Sequence, residues 1–133
     1  MPHILVEGPL TLGEVARRHT PSSRRLGDVL VKFDRLYLET GERAALLETV
    51  VVERGHPQRF FIQMAARDGG VMVRCEPLTD PEKTAAVKRA LALAAHRLVV
   101  EAGGRYGSTN IAEFLIADAD GGAAQEPGAG TAG

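Results

Sequence analysis

Three stretches of the chain hold residue types that could do chemistry. The first is TLGEVARRHTPSSRRLG, residues 11–27, in which Arg17, Arg18, Arg24 and Arg25 follow a Thr11/Glu14 capping box. Guanidinium groups clustered in this way grip phosphates or guanine edges when a helix presents them, and are plain solvated surface when it does not. The second is GGRYGSTN, residues 103–110, where two glycines precede Arg105, Tyr106, Ser108 and Asn110. Backbone N–H groups of a glycine-rich loop can wrap an anion, so these four residues are the candidate small-ligand site. The stretch lacks the lysine of the Walker pattern and follows a helix, and helix stop plus loop is its plainer reading. The third is MPHILVE at residues 1–7, with proline ahead of a buried strand. Histidines 3, 19, 56 and 96 show no HExxH spacing and Cys75 has no cysteine partner, so neither a metal nor a cofactor is expected. No base for Cys75 is identifiable, and it reads as an inert buried thiol.

Two of these stretches resemble known families. Thr-Leu-Gly-Glu-Val-Ala-Arg-Arg, followed by Ser22, Arg24 and Leu26, resembles the first two helices of MerR-type transcription regulators. That resemblance implies a helix-turn-helix at residues 11–26, its first helix bracing the phosphate backbone and Arg24 and Arg25 opening the recognition helix. The residues also fit an amphipathic helix followed by a basic loop. That reading is preferred, because period-two hydrophobicity begins at Val29, where a groove-reading helix would have to continue. MPHILVE resembles the opening of tautomerase-superfamily enzymes, including carboxymethyl-hydroxymuconate isomerases. It implies that Met1 is removed and that the secondary amine of Pro2 shuttles a proton. The alternative is that Pro2 merely starts a strand.

Composition narrows the classes. The 133 residues suffice for one core, and 44% apolar with 25% charged residues is ordinary for a soluble globular chain. Sixteen basic against seventeen acidic residues give a net charge of -1, so no global field draws the protein onto nucleic acid or an anionic membrane. With no Trp, four Phe and two Tyr there is little material for stacking bases. A single cysteine, no basic-then-apolar leader and no run of ~18 apolar residues give the expectation of a cytoplasmic protein without a membrane partner.

The elements that must position these residues follow from periodicity. His3–Glu7 reads as a short strand and Leu12 onward as a helix ended near Pro21. Residues 28–38 alternate as a long strand, with Val29, Val31, Phe33, Arg35 and Tyr37 on one face. Strands at 45–54, 59–66 and 71–76 are separated by turns at 39–42, at GHPQ and at 67–70, which makes an antiparallel meander. The long helix is expected from a Thr79 capping box, with Pro81 in its first turn, to about Ala102. Residues 111–117 fit a last buried strand or a short helix, with strand preferred.

The resulting expectation is an α+β domain over residues 1–117, with a disordered Gly/Ala-rich tail at 118–133. It comprises a short N-terminal strand and helix, a meander of about four strands, one long C-terminal helix on the sheet and a last strand. A helix of about 22 residues spans about 33 Å, whereas five strands make a sheet only about 24 Å wide. The overhang suggests a homo-oligomer or a ligand between helix and sheet. The leading functional expectation is accordingly a small binding or assembly module without catalytic chemistry, ahead of DNA binding and of Pro2 proton transfer.

Overall fold

The structure is a computed structural model that describes residues 1–117; the expected tail, 118–133, lies outside the described residues. The order of elements is β1 (His3–Glu7), α1 (Leu12–Arg18), β2 (Ser22–Leu26), β3 (Val29–Leu38), β4 (Ala44–Glu53), β5 (His56–Arg67), β6 (Gly70–Cys75), α2 (Ala85–Ala102) and β7 (Arg105–Thr109). A single 3₁₀ turn, Ala112–Phe114, follows. The strands form one antiparallel sheet in the order β2-β3-β4-β5-β6-β1-β7. This sheet curls around α2 as a half-barrel.

The α+β class stands, but the expectation of about four meander strands is corrected to seven strands in one sheet. Two strands escaped the sequence reading, each for a physical reason. In β2 the residues SSRRL have no apolar alternation, because this edge strand covers almost nothing and is defined by its ladder to β3, Ser22 facing Phe33 through Leu26 facing Val29. In β7 the glycine that weakens strand propensity makes room for a neighbouring side chain. A Cβ on Gly107 would stand 2.8 Å from the Glu7 carboxylate, and one on Gly104 just before the strand would meet Val6 Cγ1 at 2.5 Å. The expected final strand at 111–117 is instead the 3₁₀ turn and an irregular segment laid on the core through Ile111.

Helix α2 begins later than its sequence suggests. The Thr79 hydroxyl accepts from Phe61 N–H and donates to the Glu76 carbonyl, so it secures the end of the sheet and is not a helix cap. Thr84 is the cap, its hydroxyl accepting from Val87 N–H at 3.3 Å. Gly103, with φ +76°, closes the other end in the left-handed conformation. At 18 residues the helix is about 27 Å long, against roughly 34 Å for seven strands. The overhang inferred from sequence disappears. Small residues at 86, 90, 92, 94 and 95, all alanine and all buried, let the sheet close around the helix.

The expected turn at GHPQ also moves. Arg54 and Gly55, with φ of 52° and 78°, are the two residues of a tight hairpin, and His56 already pairs with Glu53.

The inner face of the sheet carries Ile4, Val6, Val31, Phe33, Leu47, Val51, Ile62, Val71 and Val73, each at most 1% exposed. Strand β3 does not keep one parity along its length. Phe33 faces Thr49 and Leu36 faces Leu47, so two residues, Asp34 and Arg35, stand opposite Glu48 in a bulge. Val29, Val31 and Phe33 share the inner face as expected, but beyond the bulge Leu36 and Leu38 point inward. Tyr37, expected on the same face as Phe33, turns outward and meets Phe61 edge to face at 6.1 Å.

Candidate functional site: a crevice between two helices and the sheet

The bulge leaves backbone groups that the ladder cannot pair, and side chains take them up. The His19 imidazole Nε2 lies in hydrogen-bond contact with the Asp34 carbonyl, which can only accept. On the neighbouring residue, Arg35 N–H donates to Glu48 Oε1 at 3.4 Å. His19 is the residue that ends α1. The bulge therefore fixes α1 over the sheet and at the same time directs Leu36 inward beneath it.

Between α1, α2 and this part of the sheet lies a crevice of about 150 Å³. Its floor and walls include Leu10, Val15, Leu36, Leu47, Met64 and Leu98, and Ala94 of α2 leaves the space that a larger side chain would fill. Its mouth carries Glu14, Arg18, Arg97 and Glu101. An engineered apolar cavity of comparable volume is known to admit a benzene-sized molecule.

The charged groups at the mouth differ in how well they are satisfied. Glu14 accepts from Arg17 Nη2 at 2.7 Å and from its Nε at 3.2 Å, with Arg18 Nε at 3.7 Å. The hydrogen bond from Arg17, then the charge of Arg17, hold the Glu14 carboxyl below its ordinary pKa. Arg18 donates from Nη1 to the Glu101 carbonyl at 2.9 Å, tying α1 to the end of α2. Arg97 is different. Its side chain is only 19% exposed, its Nε stands 3.6 Å from Glu101 Oε2, and its guanidinium lies 5.4 Å from the centre of the Phe33 ring. No N–H of Arg97 makes a hydrogen bond with any described residue.

The residues singled out from sequence are placed elsewhere or in other roles. Arg17 and Arg18 lie on α1, Arg18 at the crevice mouth. Residues 22–26, which the regulator resemblance makes a recognition helix, are strand β2. Arg24 there stands opposite Val31 of the inner face, and Arg25 opposite Leu30 of the outer one. Pro2 is buried at the start of the chain, directly before β1. The glycine-rich stretch is a strand rather than an anion-wrapping loop. Arg105 faces Glu7 at 3.6 Å, and Tyr106 donates to the Ile116 carbonyl at 2.6 Å with its oxygen 3.3 Å from His96 Nδ1. Asn110 takes His3 N–H at 3.0 Å and donates to the Met1 carbonyl at 2.8 Å; Ser108 is exposed. Arg105 and Asn110 thus tie β7 and the residue after it to the N-terminal strand.

Arg97 went unnoticed in the sequence, although a signal was present. It is the one arginine within LALAAHRLVV, a run otherwise buried on nearly every side. A charge kept in such a run needs a purpose that packing does not supply.

Among the described residues no three His, Cys, Asp or Glu side chains are grouped so as to hold a metal ion. None of their helices is long and apolar enough to cross a membrane. Comparison with family models, curated proteins and solved structures finds no match to this chain.

Proposed function

We propose that the protein is a small-molecule-binding module whose ligand enters the crevice between α1, α2 and the sheet with its apolar end toward Leu36, Leu47 and Leu98. The observation that carries this reading is the pairing of an open apolar floor with a charged mouth, at the junction of α1, α2 and the sheet. Concave, mostly apolar sites with a few fixed polar groups are the usual form of ligand sites. The reading assigns no catalytic step to the crevice.

Amide chemical-shift perturbation by indole or phenol tests it. Saturable shifts confined to Val15, Leu36, Leu47, Ala94 and Leu98 are expected, and they should vanish in Ala94→Phe, whose ring occupies the same volume. Shifts that appear only on the outer face of the sheet would refute the assignment.

A second reading, self-association, draws on a different surface. On the outer face Tyr37 is 46% exposed and, with Leu46 and Phe61, forms an apolar centre. Glu48 lies on this face beside Lys32 and Arg59, and a two-fold related copy would set these opposite charges against each other.

A further inference from the structure

We infer that the ligand of the crevice carries an anionic group, a carboxylate on a benzene-sized apolar body, and that Arg97 is the residue that receives it. This deepens the binding reading above and rests on it.

Every other charged group at the mouth already has a hydrogen-bonded partner or stands in water. Glu14 is held by Arg17, Arg18 by the Glu101 carbonyl, and the Glu101 side chain is 51% exposed. Arg97 combines a mostly buried side chain with a guanidinium that makes no hydrogen bond among the described residues, its one carboxylate neighbour, Glu101 Oε2, standing 3.6 Å from Nε. A guanidinium held mostly out of solvent and without a hydrogen-bonded partner gains more from a ligand oxygen than a fully exposed one would. The Phe33 ring at 5.4 Å attracts the charge weakly and offers no lone pair to the N–H groups.

Charge at the mouth favours the same ligand. Arg18 and Arg97 balance Glu14 and Glu101 there, but both Glu14 and the Arg18 guanidinium are engaged by hydrogen bonds within the protein, which leaves Arg97 as the group open to a ligand. A planar guanidinium also matches a carboxylate in a two-pronged geometry that a cationic or neutral headgroup cannot copy. The volume of about 150 Å³ limits the apolar body to roughly one ring or a short branched chain, with the carboxylate at the mouth beside Arg97.

Benzoate and benzamide, alike in shape and different in charge, are the probes. In calorimetric or chemical-shift titrations at neutral pH the wild-type protein is expected to bind benzoate at least tenfold more tightly than benzamide. Arg97→Gln should bring the two level by weakening benzoate at least roughly tenfold more than benzamide. Should that variant fail to fold, the wild-type protein supplies the other arm. Acidification that protonates benzoate should remove its advantage, while benzenesulfonate, which stays ionised, keeps its affinity. Benzamide binding as tightly as benzoate, or a benzoate preference that survives in folded Arg97→Gln, overturns the inference and leaves the crevice as a neutral binding site. Absence of binding by benzoate, benzamide, indole and phenol alike overturns the binding reading itself.

Discussion

Cys75 and Arg97 show what burial does to two reactive side chains in one core. The Cys75 thiol ends β6 at 1% exposure, and desolvation raises its pKa above the ordinary value. Lys83 lowers it by a smaller amount and Asp80 raises it further. The neutral thiol is therefore favoured in the folded state. Its contribution to stability is complete below the ordinary thiol pKa and is lost as pH rises through the raised native value. A thiol at 1% exposure with its pKa raised is both less accessible and less ionised, so a thiol reagent at neutral pH should label native Cys75 many-fold more slowly than the denatured chain. Equal rates would mean that the edge of β6 opens freely. The inert role read from the sequence needed only the absence of a neighbouring base. For Arg97 the i,i+4 spacing to Glu101 is legible in the sequence, whereas its approach to Phe33, on a strand far away in the chain, is not.

At the scale of elements, one bulge decides more than any helix does. Alternation in DVLVKFDRLYL was legible and gave Val29, Val31 and Phe33 their common face. The extra residue at 34–35 was not, because a bulge is a property of two strands in register and only one of them is read at a time. The change of parity brings Leu36 under α1 and so makes one wall of the crevice. His19 answers the Asp34 carbonyl left over by that change. His19→Ala should cost about 1 kcal/mol, the lower range for an acceptor left unsatisfied at a half-buried site. Chemical denaturation measures it, and the amide shifts of residues 33–36 should move with it. A variant as stable as the wild type would show that the bulge holds α1 without help. Capping was read well for α1, where Thr11 does accept from Glu14 N–H. It was misread for α2, because Thr79 and Thr84 both have cap chemistry and only the nearby Phe61 N–H decides which is free to use it.

Across the whole molecule the decisive quantity is the width of the sheet against the length of the helix. Two strands beyond those expected widen the sheet past the length of α2, most of whose residues are buried, so the overhang that suggested a seam for a second copy is gone. Self-association, if it operates, uses the outer face around Tyr37 and Phe61. Light scattering at micromolar concentration should then give at least twice 14.2 kDa, and Tyr37→Glu should return the monomer mass. A wild-type mass of 14.2 kDa would dismiss that reading while leaving the crevice untouched.

Local patterning alone determined the α+β class, the long strands from Val29 to Cys75, both helices and the buried character of Cys75, because each depends on neighbours within a few residues. Tertiary structure alone decided the edge strands, the start of α2, the bulge and the crevice. The physical reason is that an edge strand needs only a partner's free backbone groups, and a crevice needs walls from elements that the chain visits at residues 10, 36, 64 and 98. Hydrophobic periodicity records which side of each element is buried. It does not record how far apart the buried sides of different elements come to rest.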